Sequence, residues 1–220
     1  AKSHRIIIEC GELDWKQINP DIFGSMMQAV THPGERASLG MHYTSVPNIM
    51  KVIEPLFLND LREEFEKCKG NKKKLDGLRI RMSKIKFFDP ACGSGNFLII
   101  TYKELRRLEM DIIREVGSFS FSDLQLSQFY GIEIDDFAHE IAKLSLYLAE
   151  HQMNVEFKHE FGETRPTLPL RESGNIVCGN ATRINWEEVC LKNENDEVYI
   201  LGNPPYLGGK SQSKEKKQDM

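Results

Sequence analysis

The sequence predicts an α/β fold with a doubly wound, mostly parallel sheet, and three observations support this prediction. Short strand-like segments alternate with longer segments of helical periodicity. The strand-like segments are apolar at successive positions, which is typical of parallel strands buried on both faces. Polar or glycine-rich motifs follow them, at the edge where the carboxyl ends of parallel strands meet and ligands bind. The predicted strands cover residues 85–89, 129–134, 175–178 and 198–201.

Helical periodicity, with its start and stop signals, predicts helices before the first strand and after the first and second strands. The lysine-rich segment 69–74 and the proline-containing segment 158–173 have the composition of loops. We predict a helical extension over residues 1–37, followed by a core over residues 38–220. The predicted helices cover residues 20–30, 45–68, 75–82, 96–112 and 135–151.

The composition excludes several classes of protein. With 40% hydrophobic and 28% charged residues, the chain has the make-up of a soluble globular protein. No apolar run approaches the ~20 residues that a membrane-spanning helix needs. The five cysteines show no CxxC pairing, which argues against a disulfide framework and a zinc site and favours a reducing cytoplasm. They are Cys10, Cys68, Cys92, Cys178 and Cys190.

Positive charge is concentrated between residues 67 and 86, although the net charge of the whole chain is −4. This stretch holds nine Lys or Arg residues and one acidic residue, Asp76. Such a stretch can contact nucleic-acid phosphates, or it can be a solvated surface. Taken alone, it favours the solvated surface.

A glycine-rich turn, residues 89–98, joins the first predicted strand to its helix. Its glycines allow the backbone to approach a ligand closely, and the helix N-terminus favours a negative group. Asp89 can accept hydrogen bonds from a cationic amine, so the turn suits an amino-acid zwitterion better than a pyrophosphate. Leu98 replaces the third glycine of the GxGxxG pattern, and no Lys-Ser or Lys-Thr pair follows the turn. The candidate ligand-binding residues are Asp89, Pro90, Ala91, Gly93, Gly95, Asn96 and Phe97.

Three further candidates lie at the ends of the next two strands. Glu133 lies near the end of the second predicted strand, where a carboxylate can accept hydrogen bonds from both hydroxyls of an adenosine ribose. Ile134 beside it can pack on an adenine ring, and Asn180 after the third strand can bond the adenine edge. A helix N-cap is the alternative role for Glu133, but Asp135 and Asp136 suit that role better.

The fourth predicted strand runs into Asn203-Pro204-Pro205-Tyr206. The two prolines hold the backbone extended, so the Asn203 side-chain carbonyl and the Pro204 main-chain carbonyl can point the same way. Two converging acceptors suit an aromatic NH2 group, which offers two donors. Tyr206 supplies a face on which the ring can stack.

These motifs resemble those of the N6-adenine DNA methyltransferases of bacterial restriction-modification systems, in particular the MmeI-like type IIG group. The resemblance extends to Asp21-Ile22-Phe23-Gly24, to the run from Leu39 to Thr44 and to Gly131-Ile132-Glu133-Ile134-Asp135. It implies a Rossmann-like, class I S-adenosylmethionine-dependent methyltransferase in the bacterial cytoplasm, with no metal in methyl transfer. Thr44 would help to hold the methionine part of S-adenosylmethionine. The catalytic residues would be Asn203, Pro204 and Tyr206.

The resemblance also implies double-stranded DNA with a flipped adenine as the partner. The order of the motifs places a target-recognition region C-terminal to the catalytic core, so the chain is expected to be a fragment that is truncated after the fourth strand. Glu156-Phe157-Lys158 matches half of a common nuclease pattern, but no partner Asp on a preceding strand accompanies it.

Two alternatives stay open at this point. One is a methyltransferase that acts on another planar amine, such as an RNA base or a protein glutamine. The other is a non-catalytic cofactor-binding specificity module, for which loss of Asn203 or Tyr206 would be expected. Both residues are present.

Overall fold

A computed structural model describes residues 44–164 and 174–204, together with the single residues 5, 6, 8, 9, 22 and 26. These six single residues are helical, and Arg5 pairs with Glu9 one helical turn away. The predicted boundary at residues 37 and 38 lies outside the described residues, so it stays a prediction. Within the described part, none of the helices has both the length and the apolar character needed to cross a membrane.

Four described strands form one parallel sheet, as predicted. They are β1 (Lys86–Asp89), β2 (Phe129–Glu133), β3 (Asn175–Cys178) and β4 (Val198–Ile200). The spatial order is β3-β2-β1-β4, and Phe87 of β1 aligns with Phe129 on one side and Tyr199 on the other. The chain therefore reverses its direction of travel across the sheet at β1. This reversal opens a crevice beside the carboxyl end of β1, where α/β proteins bind ligands.

From β1 onwards the helices alternate with the strands, and the short helix between β3 and β4 was not predicted. In chain order they are α1 (Val46–Ile53), α2 (Asn59–Cys68), α3 (Lys72–Met82), α4 (Asn96–Val116), α5 (Asp136–Phe161) and α6 (Trp186–Val189). A 3-10 turn, Leu126–Gln128, precedes β2.

The predicted helix over 45–68 is divided by a π-helical turn, Glu54–Leu58. Pro55 lies inside this turn. Proline has no backbone N–H, and its ring collides with the carbonyl four residues earlier in a regular α-helix. The wider π turn relieves that collision, so the chain continues in helical form through the proline.

Three helices extend beyond their predicted bounds, and α4 does so by four residues, to Val116. The α3 helix begins at Lys72, inside the predicted loop, because the Asn71 side chain accepts a hydrogen bond from the Lys74 N–H at 3.2 Å. The α5 helix continues past His151 to Phe161, since Met153 and Phe157 prolong its buried stripe. Glu156 and Lys158 consequently lie on a helix, which is not where the E-x-K nuclease pattern needs them.

The two faces of the sheet are covered unequally. One face, with Phe87 and Phe129, belongs to a large core that α1 to α5 complete. On the other face, Phe88 and Ile132 form a small cluster with residues 181–190. The Trp186 ring packs edge-on against the Phe88 ring, with 5.3 Å between the two ring centroids. Most burial therefore lies on one side of the sheet.

Three residues of the basic stretch 67–86 make ion pairs with other parts of the protein. Arg79 bonds Asp123 at 2.7 Å, and Lys86 bonds Asp196 at 2.6 Å. Arg81 pairs with both Glu64 and Glu197 and so ties α3 to α2 and to the segment before β4. These contacts support a structural role for Arg79, Arg81 and Lys86, whereas the other six basic residues of the stretch, all lysines, are exposed.

Candidate functional site

The glycine-rich turn is closed by backbone hydrogen bonds. The Cys92 N–H donates to the Ile132 carbonyl at 3.0 Å, and the Gly95 N–H donates to the Cys92 carbonyl at 2.8 Å. Gly95 precedes α4 with a φ of 85°, a left-handed conformation that favours glycine, and it lies against Ala142. The turn is therefore fixed between β2 and the N-terminus of α4.

Asp89 ends β1 with its side chain buried, at 1% exposure. Its Oδ1 accepts a hydrogen bond from the Ala91 N–H at 3.0 Å. Burial raises the pKa of this carboxyl from 3.8 to about 7, and the negative charge of Glu133 acts in the same direction. A buried carboxylate in this state is stabilised by a cationic partner.

Gly202 lies directly against Asp89. A Cβ built on Gly202 would collide with Oδ1 of Asp89, and Gly202 has a φ of 148° that side chains rarely adopt. The chain leaving β4 therefore passes close to the buried carboxylate. This close approach brings the following residue, Asn203, to the same edge of the sheet.

We expect Gly202→Ala to destabilise the protein by about 1–3 kcal/mol, because it combines a disfavoured φ with a steric collision. Urea denaturation measures the change in the free energy of unfolding. Gly117→Ala is the matched control, since Gly117 also has a positive φ, 65°, but a Cβ there meets no atom within 4 Å. Equal costs for the two variants would show that the contact with Asp89 does not constrain Gly202.

Glu133 lies at the end of β2 and organises two backbone segments. Its Oε2 accepts from the Gly93 N–H at 2.8 Å, and its Oε1 accepts from the Asp135 N–H at 2.9 Å. Each carboxylate oxygen keeps a lone pair for a further donor. Asp135 is the N-cap of α5 and accepts from the Ala138 N–H at 2.8 Å, so the capping role belongs to Asp135, as the sequence indicated.

The negative charge of this site is not neutralised within the described part of the chain. Asp89 and Glu133 accept only backbone hydrogen bonds there, and no Lys or Arg of those residues pairs with either carboxylate. Opposite charge within a few ångströms would stabilise both groups. The site is thus suited to a cationic ligand.

Other predicted cofactor residues take different positions. Ile134 is 59% exposed beside Glu133, where its side chain is available to a ring. The Asn96 and Phe97 side chains are buried at the start of α4, and Phe97 belongs to the large core, so its contact with a ligand would come from its backbone. Pro90 and Ala91 form the half-buried start of the turn.

Asn180 follows β3 and shapes a turn. Its Oδ1 accepts from the Thr182 N–H at 3.0 Å and from the Thr182 hydroxyl at 2.7 Å. Such local bonds are typical of asparagine in turns. The structure gives this oxygen a turn-forming role, and contact with an adenine edge stays a prediction.

The structure brings Asn203 and Thr44 together. Nδ2 of Asn203 donates to the Thr44 hydroxyl at 3.2 Å, although 159 residues separate the two in sequence. Asn203 and Pro204 are exposed after β4. Pro205 and Tyr206 lie outside the described residues, as do the motif positions 21, 23, 24 and 39–43.

Three potential metal ligands, Asp136, His139 and Cys178, form a cluster that the sequence did not predict. Their ligand atoms lie within 4.8 Å of one another, near the start of α5 and the end of β3. Nε2 of His139 already contacts the Ile176 carbonyl at 3.1 Å. Asp136 and His139 lie on α5, whereas Cys178 ends β3, so the three residues come together only in the folded protein. We assign no ion to the cluster.

The chain matches known proteins over most of its length. The family model described as MmeI, DNA-methyltransferase domain, matches residues 65–220. DNA methyltransferase A of Bacillus subtilis (strain 168) is 60% identical over the whole chain, which corresponds to 26% of that protein. A putative type II restriction enzyme and methyltransferase of Methanocaldococcus jannaschii is 29% identical over 80% of this chain and 17% of that protein.

A solved structure agrees with these matches. MmeI, a type IIL restriction-modification enzyme solved in complex with DNA, superposes with a TM-score of 0.85 and 43% identity. The match covers 94% of this chain and 28% of that chain. This chain therefore spans about a quarter of the length of B. subtilis DNA methyltransferase A and of MmeI. The resemblance predicted from the motifs is confirmed, and the chain belongs to the MmeI family of DNA-methyltransferase domains.

Proposed function

We propose that this chain binds S-adenosylmethionine and supplies the site from which a methyl group passes to N6 of adenine in DNA. The observation that carries this proposal is the pair of carboxylates, Asp89 and Glu133, that no described Lys or Arg neutralises. S-adenosylmethionine carries a sulfonium and an ammonium, so its charge complements this pair. Membership of a DNA-methyltransferase family supports the same proposal.

Each site residue would contact a different part of the cofactor. Asp89 would accept hydrogen bonds from the ammonium group, and the backbone N–H groups at the start of α4 would face the carboxylate. Glu133 would accept the ribose hydroxyls, with Ile134 packed on the adenine and Asn180 near its edge. Asp89 and Glu133 end neighbouring strands, β1 and β2, so the cofactor would lie across the carboxyl end of the sheet.

The acceptor side would be built by Asn203, Pro204 and Tyr206. The exocyclic amine of adenine is a poor nucleophile because its lone pair is delocalised into the ring. Two carbonyl acceptors, from Asn203 and Pro204, would hold both amine hydrogens and turn the lone pair towards the methyl group. S-adenosylmethionine supplies a good leaving group when bound, so this chain contributes mainly alignment and electrostatics.

Adenine inside a duplex hides its amine, so we propose that the base is rotated out of the helix, at a cost of a few kcal/mol. That energy comes from phosphate and base-edge contacts. The net charge of −4 is unfavourable for such contacts, and Arg79, Arg81 and Lys86 of the basic stretch are used in internal ion pairs. We therefore propose that the contacts come from other parts of the full-length protein.

Glu133→Ala is expected to weaken S-adenosylmethionine binding by about 1–3 kcal/mol, the scale for losing a charged hydrogen-bond partner. Calorimetric titration measures the change. Glu140→Ala, which removes an exposed carboxylate one turn into α5, is the matched control and should bind normally. Unchanged affinity in Glu133→Ala would remove Glu133 from the site.

The methylated base is identified by incubating the full-length protein with plasmid DNA and S-adenosylmethionine. Digestion of the DNA to nucleosides followed by mass spectrometry should reveal N6-methyladenine. A product that contains only methylcytosine would contradict the adenine assignment. Methylation of RNA or of protein glutamine in place of DNA would contradict the substrate class.

A further inference from the structure

The contact between Thr44 and Asn203 joins two elements that are each fixed independently. Thr44 precedes α1, whose first turn is closed by bonds to the Ser45 carbonyl and whose Ile49 and Ile53 are buried in the large core. Asn203 follows β4, which is held by the Leu201 N–H bonded to the Phe88 carbonyl at 2.9 Å. The Thr44–Asn203 bond therefore acts between two rigid supports.

The orientation of the Asn203 amide decides whether it can act on an amine. Only Oδ1 accepts a hydrogen bond, whereas Nδ2 donates. In the structure Nδ2 faces the Thr44 hydroxyl, which turns Oδ1 to the other side. A hydroxyl can donate as well as accept, so Thr44 by itself would also tolerate the reversed amide, with Oδ1 facing it.

When the Thr44 hydroxyl donates its only hydrogen to another acceptor, it can no longer donate to Oδ1 of Asn203. A carboxylate is such an acceptor. Thr44 and Asn203 lie at the β4 side of Asp89, while Glu133 lies at the β2 side. With the ribose at Glu133 and the ammonium at Asp89, the amino-acid end of the cofactor falls on the side of Thr44.

We propose that Thr44 is a positioning residue that couples cofactor binding to the orientation of Asn203. When the Thr44 hydroxyl donates to the cofactor carboxylate, its oxygen can only accept, so Asn203 must present Nδ2 to it. Oδ1 then faces the target amine. This inference rests on the proposed function, and it adds that a bound cofactor prepares the site for the flipped base.

The test uses full-length wild-type protein, Thr44→Val, Thr44→Ser and, as a matched control, Ser45→Ala. The Ser45 side chain makes no capping bond, so its removal should change nothing at the site. Thr44→Val keeps the shape and removes the hydroxyl. We expect it to lower kcat at saturating cofactor and DNA by about tenfold, and Thr44→Ser to restore most of the rate. If Thr44 only bound the cofactor, Thr44→Val would raise KM for the cofactor and leave kcat unchanged.

The second readout needs no turnover. Affinity for a duplex with adenine at the target position is measured without a cofactor, with S-adenosylhomocysteine, and with methylthioadenosine, which lacks the amino-acid end. In wild type, S-adenosylhomocysteine should tighten DNA binding at least about fivefold, and methylthioadenosine should not. Thr44→Val should lose this tightening, while Ser45→Ala should keep it.

The outcomes separate the two proposals. A wild-type protein that leaves DNA adenines unmethylated overturns both. If the wild type methylates adenine while Thr44→Val keeps the wild-type kcat or the full tightening by S-adenosylhomocysteine, the role of Thr44 is wrong and the proposed function stands.

Discussion

Replacement of Asn203 by alanine is expected to lower kcat for adenine methylation by about 10²–10³-fold, the effect of removing one polar group that stabilises the transition state. The Asn203 carbonyl would hold the amine while its lone pair turns towards the methyl group. Cofactor affinity should stay close to that of wild type, because in the proposed site the cofactor would be held mainly by Asp89, Glu133 and the glycine-rich turn. The loss should therefore appear in the chemical step.

Single-turnover methyl transfer on plasmid DNA, with cofactor and protein in excess, isolates that step. Asn59→Ala, which changes an exposed asparagine of α2, is the matched control and should react at the wild-type rate. Calorimetry on the same preparations checks that Asn203→Ala still binds S-adenosylmethionine. A rate within a few-fold of wild type would exclude Asn203 from catalysis.

The sheet could be predicted from sequence because each strand carries its own signal. Asn175–Cys178 forms β3 at the predicted bounds, and the other three strands differ from the prediction by one residue at one end. Continuous apolar residues and flanking glycines or prolines are local features, so they can be recognised in the sequence without knowledge of the fold. The order β3-β2-β1-β4 is not local, and it appeared only in the structure.

The departures among the helices have tertiary causes. Pro55 suggests no π turn by itself, because a proline in a periodic segment more often marks an end or a kink. The C-terminal half of α5 is stabilised by burial of Met153 and Phe157 against other elements, which periodicity weighs only weakly. The short α6 packs through Trp186 on Phe88, a contact between residues far apart in sequence.

The site was predictable where it follows strand ends and was not where it depends on packing. Asp89 and Glu133 were candidates because they end strands, and the structure places both beside the glycine-rich turn. The Gly202 contact with Asp89 needs the pairing of β1 with β4. The Thr44–Asn203 bond likewise joins segments 159 residues apart, and no spacing rule reaches that far.

Replacement of Asp89 by asparagine is expected to change both stability and cofactor binding, because it removes a buried negative charge. The folded pKa of Asp89 is about 7, above the ordinary value of 3.8 that it has in the unfolded chain. The folded state therefore binds a proton that the unfolded state has lost, and stability that is present below pH 4 declines as the pH rises to about 7. Asp89→Asn removes this penalty, so the ligand-free variant should be more stable than wild type at pH 8, by an amount on the order of a few kcal/mol.

The same change should weaken binding of S-adenosylmethionine at pH 8 by tenfold or more, because an amide cannot supply the charge that attracts an ammonium. In wild type, affinity should rise as the pH increases towards 7, since the Asp89 carboxyl must release its proton to accept the ligand. Calorimetry in buffers of different ionisation enthalpy should detect up to one proton released per cofactor bound at pH 6. Asp111→Asn, which removes a carboxylate paired with Arg114 at the surface of α4, is the matched control and should keep both the affinity and its pH dependence. An Asp89→Asn variant that is no more stable at pH 8 and binds the cofactor as tightly as wild type would show that this carboxylate neither carries a buried charge nor contacts the ligand.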